Sequence, residues 1–191
     1  VAINEMYQPS PKPFNEQKPN ILHIGTGENK NLLRLIEALA GISCHLSIVG
    51  ELNETQRACL KKYQIDYSNV SNISQAEMLQ QYYICDFLAF VSTFEGFGMP
   101  IIEANSVERP VLTSNLASMP EVAGDAALLV NPYRVEEIRE GILRLIQEAD
   151  LRKKLIKAGR KNKLRFQSKA IAQQYFELYQ KIATHKPNQT Q

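Results

Sequence analysis

The run Asp86-Phe87-Leu88-Ala89-Phe90-Val91 passes straight into Ser92-Thr93-Phe94-Glu95-Gly96-Phe97-Gly98-Met99-Pro100. A strand that is apolar at consecutive positions has no face for water, so it belongs in a sheet covered on both sides, as parallel sheets are. The neighbouring segments agree. Ile21-Leu22-His23-Ile24 is a second apolar run, ending at Gly25, and Cys44 to Val49 is a third, ending at Gly50. Leu32, Leu33, Leu35, Ile36 and Leu39 recur between them at helical spacing. Further helices are predicted over 53–63, 75–84 and 99–107, the last with Pro100 in its first turn, where a missing N–H is harmless. A weak strand is predicted at 67–70 and short strands at 110–113 and 127–130. Helices near 135–148, 150–164 and 168–183 complete the pattern. Strands alternating with helices specify an α/β fold: a doubly wound, Rossmann-like parallel sheet of about six strands flanked by helices.

The 191 residues suit one domain with a sizeable core. Residues 1–19 hold Pro9, Pro11, Pro13 and Pro19 and few apolar residues, so they read as an interdomain linker. The domain itself is expected over 20–165, with a C-terminal helix and polar tail over 166–191. A chain opening on Val1 rather than Met points to further protein upstream. No signal peptide is visible, and no apolar run approaches the roughly 20 residues of a membrane span. Cys44, Cys59 and Cys85 are odd in number and far apart, which speaks against a disulfide framework or zinc site and fits a reducing cytoplasm. All three are expected to be small buried apolar residues. His23 and His45 lie in predicted strands and read as structural, and His185 falls in the tail.

Net charge is only +2, but residues 151–169 carry nine basic residues and no acid, which leaves −7 for the rest. That asymmetry argues against a nucleic-acid-binding domain and for a local anionic contact at most. The plain reading is a solvated helix face with Leu151, Leu155, Ile156 and Leu164 turned inward. The sharper one is peripheral contact with an anionic membrane through Arg152–Lys169.

Ligands of open parallel sheets bind beyond the carboxyl ends of the strands. Two such ends are unusual here. Gly25-Thr26-Gly27-Glu28-Asn29-Lys30-Asn31 joins a strand to a helix, offering close backbone approach, helix-start N–H groups and a lysine, all suited to phosphate. It matches neither G-x-G-x-x-G nor the P-loop pattern, and a glycine turn capped by Asn29 is the plain alternative. The second end, Ser92 to Ala104, places Glu95 in a Gly-x-Gly turn and Glu103 on the following helix. Two carboxylates would repel a diphosphate but would accept hydrogen bonds from hydroxyls, Glu103 from a ribose and Glu95 from a sugar.

Glu95 and Glu103 form an E-x7-E pattern, followed by Arg109-Pro110-Val111 and by Met119-Pro120-Glu121-Val122 through Pro132. From Asn20 to Ile182 the chain resembles the retaining glycosyltransferases of family 4. The resemblance implies one half of a two-domain GT-B fold: the C-terminal, donor-binding half, with UDP- or GDP-sugar as substrate. It requires no cofactor or metal, and no D-x-D is present. The acceptor, a glycan or lipid-linked sugar, would be bound by an N-terminal half. Carried over by position, Gly25, Thr26 and Lys30 meet the diphosphate, with Met99 and Pro100 nearby. Ser71, Asn72 and Ile73 pack on the base. Glu95, as the catalytic carboxylate, and the Gly96, Phe97 and Gly98 backbone meet the transferred sugar, and Glu103 meets the ribose. Thr26 departs from the family, many of whose members have arginine there. Two other readings stay open: a nucleotide-binding module without catalysis, and another GT-B enzyme such as a nucleotide-sugar epimerase. A receiver domain would need acids at the strand ends, where Gly25 and Gly50 stand.

Overall fold

A computed structural model describes residues 2–184. Six strands form one sheet in the order β3-β2-β1-β4-β5-β6. They are β1 (Asn20–Ile24), β2 (His45–Val49), β3 (Tyr67–Val70), β4 (Phe87–Phe90), β5 (Val111–Ser114) and β6 (Leu128–Val130). Every pairing is parallel. The helices are α1 (Leu32–Leu39), α2 (Glu54–Lys62), α3 (Gln75–Ile84), α4 (Met99–Ser106), α5 (Met119–Ala123), α6 (Val135–Gln147), α7 (Ala149–Asn162) and α8 (Ser168–Thr184). Short 3-10 turns occupy Glu28–Lys30, Gly124–Ala126 and Lys163–Phe166. The sequence predicts neither these turns nor α5, which is too short to show a period.

The apolar runs take both faces of the sheet, as two cores. On one face Leu35, Ile36 and Leu39 of α1 and Ile138, Ile142 and Leu145 of α6 pack against Ile21, Leu46 and Phe87. On the other, Tyr82, Ile101, Ile102, Met119 and Val122 pack against Leu22, Leu88, Phe90 and Val111. Each buried Leu or Ile side chain contributes about 2 kcal/mol. His23 is fully buried, with its Nδ1 3.1 Å from the Ala89 carbonyl oxygen. His45 lies between Asp66 and Ser68. Cys44 and Cys85 are buried free thiols, pushed up by desolvation to about 11 and about 12, whereas Cys59 is only half-buried. His185 lies outside the described residues.

Residues 2–19 form no helix or strand, yet they are held against the domain. Ile3 and Tyr7 are buried in the second core, and Phe14 stacks on Phe87 with ring centroids 6.3 Å apart. Lys12 pairs with Asp86 at 2.7 Å, and Ser10 gives its carbonyl to Arg109. At the other end, residue 165 falls inside a 3-10 turn whose Phe166 is buried, so the packed body runs past that boundary.

The basic stretch does not act as one surface. Arg152 is buried, donating to the Leu145 and Ile146 carbonyls, pairing with Glu16 and lying 4.0 Å from the Phe14 ring centroid. Arg160 forks onto Glu108 with two 2.8 Å bonds, and Arg165 bonds Asn162 and Glu121. Lys154, Lys157 and Lys161 line an open groove of about 680 Å³ floored by Leu128, Leu151 and Leu155. Leu164, expected inside, is 51% exposed, because the 3-10 turn shifts the helical phase and turns Phe166 inward instead. Helix α8 exposes Tyr175, Phe176, Leu178, Tyr179 and Ile182. No helix among the described residues is long and apolar enough to cross a membrane.

Candidate functional site

The chain leaves β1 toward β2 on one side, and reaches β4 on the other only after β3. The topological switch point therefore lies between β1 and β4, where a doubly wound sheet opens a crevice at its carboxyl edge. Both unusual loops emerge at that point.

They are joined by a ladder of contacts. The Thr93 N–H donates to the Asn29 carbonyl at 2.8 Å, and the Asn29 side chain donates to the Phe94 carbonyl at 3.0 Å. Lys30 Nζ lies 2.6 Å from Glu95 Oε1. Their side chains are only 24% and 14% exposed, so losing either would leave a poorly hydrated charge. The Lys30 stem crosses the open face of Gly25, whose φ of 91° favours glycine. Asn29 thus does not cap the helix. Asn31 stands at that position in the left-handed region, φ 63°, its side chain donating to the Val91 and Pro132 carbonyls at 3.0 and 2.7 Å. A third loop braces the second: the Ser118 hydroxyl lies 3.0 and 2.7 Å from the Glu95 and Phe97 carbonyl oxygens.

Helix α4 starts where the Gly-x-Gly turn ends. Gly98 is its cap, with φ 105°, and Pro100 sits in the first turn. No side chain caps this end; Pro100 has no N–H and the Ile101 N–H bonds the Gly98 carbonyl at 3.0 Å, so the Met99 N–H and the positive dipole end are what an anion would meet. Met99 and Pro100 are half-buried at this end. A Cβ added at Gly96 would meet nothing within 4 Å. Gly96→Ala is therefore expected to leave folding stability within about 0.5 kcal/mol of the parent. If a ligand uses that space, its affinity should fall, which thermal unfolding and titration of the same variant would separate.

Glu103 lies further along α4, and its carboxylate accepts the Tyr82 hydroxyl at 2.6 Å. Desolvation raises its pKa, and hydrogen bonds from Tyr82 and Tyr7 oppose that rise. Thr26 is turned away from the crevice contacts. Its hydroxyl donates to the Glu51 carbonyl at 2.7 Å, and its own carbonyl accepts from Gln56 at 2.7 Å. Ser71, Asn72 and Ile73 follow β3, two strands from β1 and so roughly 10 Å away. Asn72 there is left-handed, φ 54°.

The two loops and α4 thus come together, with Lys30 touching Glu95, while Ser71–Ile73 border the cluster without joining it. Sequence reasoning misses Ser118, Asn31, Tyr82 and Tyr7. Only Asn31 carries a local signal, being an asparagine at a strand-to-helix junction, a type that tolerates positive φ.

Residues 7–162 match the family model for glycosyl transferases group 1. The chain belongs to this family. A related sequence is O-antigen chain mannosyltransferase B of Escherichia coli, 48% identical over 59 residues, which is 31% of this chain and 16% of that protein. Sucrose-phosphate synthase from Thermosynechococcus elongatus shares the fold with a TM-score of 0.79 at 21% identity, over 97% of this chain and 52% of that one. The Anabaena protein HepE, in complex with UDP and glucose, does so with a TM-score of 0.77 at 20% identity, over 86% of this chain and 49% of that one. The chain therefore spans about half the length of these two structures. The six-stranded Rossmann-like half of a GT-B fold read from the sequence is the fold found.

Proposed function

We propose that this chain is the donor-binding half of a retaining group 1 glycosyltransferase, which moves a hexose from a UDP- or GDP-sugar to a glycan or lipid-linked acceptor held by the rest of the enzyme. The observation that carries this is the convergence, at one switch point, of Lys30, the uncapped start of α4 and the shielded carboxylate of Glu103. A nucleoside diphosphate needs those three groups: cationic and N–H donors for the diphosphate, and an acceptor for the ribose hydroxyls. UDP and glucose in the Anabaena structure, and the mannosyltransferase activity in the name of the Escherichia coli relative, support a nucleotide-activated hexose.

In this reading Lys30 shares its three donors between Glu95 and the diphosphate. As the bond from the anomeric carbon to the diphosphate oxygen breaks, charge grows on that oxygen, and fixed donors there lower the barrier. The acceptor hydroxyl forms the new bond on the same face and passes its proton to the leaving phosphate. Glu95, fixed by Lys30 and by its carbonyl contact with Ser118, holds the sugar hydroxyls.

Calorimetric titration with UDP and with GDP tests the site. One of them should bind, and Glu103→Ala should weaken it by about 1–3 kcal/mol, roughly 5- to 150-fold. Parent-like affinity in a folded Glu103→Ala protein would remove Glu103 from the site. Failure of both nucleotides to bind this chain and the full-length protein would overturn the reading.

A further inference from the structure

Glu103 is served by two phenols from separate parts of the chain. Tyr82 is the one buried residue of α3, fully enclosed, and its hydroxyl donates to Glu103 Oε2 at 2.6 Å. Tyr7 comes from the segment ahead of β1. It is 8% exposed, and its ring meets Tyr82 edge to face, centroids 5.6 Å apart at 79°. Burial first, and then the Glu103 charge and hydrogen bonding, push the Tyr7 phenol up, so its hydroxyl faces the Glu103 carboxylate beside that of Tyr82. Tyr7 is held on both sides. Ile3 donates its N–H to the Phe166 carbonyl at 2.8 Å, and the Ser10 carbonyl accepts from buried Arg109 at 2.7 Å.

A buried apolar contact would not require a tyrosine at either place. Buried hydroxyls are retained where they find partners, and here both face the same carboxylate. An ionised carboxylate has about four acceptor positions. Two phenols can fill at most half of them, fix the carboxylate's rotation and leave the others for a ribose.

We propose that Tyr7 and Tyr82 are positioning residues for Glu103, so that the segment ahead of β1 supplies part of the ribose site. This rests on the donor-site reading above. The phenols act only through Glu103, so their loss should be felt by ligands that carry ribose hydroxyls and not by ligands that lack them. Hydrogen bonds to the charged form also keep a desolvated carboxylate ionised.

The test uses the whole chain as parent, Tyr7→Phe, Tyr82→Phe and Glu103→Ala. Each is titrated with whichever of UDP and GDP the parent binds, and with its 2′,3′-dideoxy counterpart. The parent should prefer the ribonucleotide by about tenfold or more. Glu103→Ala should erase that preference, and Tyr7→Phe should narrow it several-fold with dideoxynucleotide affinity unchanged. Full preference in Tyr7→Phe, or an equal loss for both ligands, overturns the proposal while leaving the donor site standing. A preference that survives Glu103→Ala overturns the donor-site reading instead. A measurement without ligand covers the remaining case: in carbon-13 NMR of the Glu103 carboxyl, Tyr7→Phe should move its titration upward, and an unmoved titration overturns the proposal. If Tyr82→Phe fails to fold, Tyr7→Phe at the rim of the core carries both tests.

Discussion

Replacing Arg109 with methionine should destabilise the chain by about 3–5 kcal/mol, since several buried carbonyls lose their donor at about 1–3 kcal/mol each before partial relief by water. Arg109 is 2% exposed. It donates to the carbonyls of Cys85 at 2.9 Å, Tyr83 at 2.8 Å, Val107 at 2.9 Å and Ser10 at 2.7 Å. The first two lie at the carboxyl end of α3 and the third at that of α4, so one guanidinium meets the negative ends of two helix dipoles. Methionine keeps much of the volume and leaves these acceptors without a donor. Lysine should restore only part of the loss, because an ammonium lacks the planar fork. Urea unfolding would measure both variants. A loss below about 1 kcal/mol for methionine would mean that water takes over the acceptors.

The second large effect is a pH dependence set by His23. Burial first, and the charge of Lys30, bring its pKa down from 6.5 to about 4 against the opposing hydrogen bond with the Ala89 carbonyl. The folded state therefore binds this proton less readily than the unfolded state. Its contribution is complete above pH 6.5 and is lost as pH falls from 6.5 toward 4, amounting to about 3 kcal/mol over that window. Glu103 works in the opposite sense, since its raised pKa favours the folded state as acid is added. The clean observable is thus the difference between the parent and His23→Gln. Stability measured from pH 7 to pH 4 should fall more steeply in the parent, and parallel curves would show that His23 does not titrate there.

The strands were readable because burial on both faces writes itself as consecutive apolar residues, as in Phe87–Phe90 and Ile21–Ile24. The spacing of Glu95 and Glu103 was readable because both lie on one turn-and-helix unit. The partners of those glutamates were not. Lys30 stands 65 residues from Glu95, and only the parallel pairing of β1 with β4 brings them together. Tyr82 sits on a helix with weak apolar periodicity, and nothing local separates it from exposed Ile84. Residues 2–19 mislead more simply. Their prolines suggest a spacer, and their anchors Ile3, Tyr7 and Phe14 fall at no regular interval, so no period exposes them.

Those anchors change where the unit may be cut. Excision at residue 20 looks natural from the strand pattern, but it would strip Ile3 and Tyr7 from one core and Phe14 from the edge of the other. It would also remove the Ser10 acceptor from Arg109, and Glu16 and the Phe14 ring from Arg152. A recombinant piece or domain chimaera that begins at β1 would thus carry two buried arginines each short of a partner, and should be aggregation-prone where one beginning ahead of Ile3 is not.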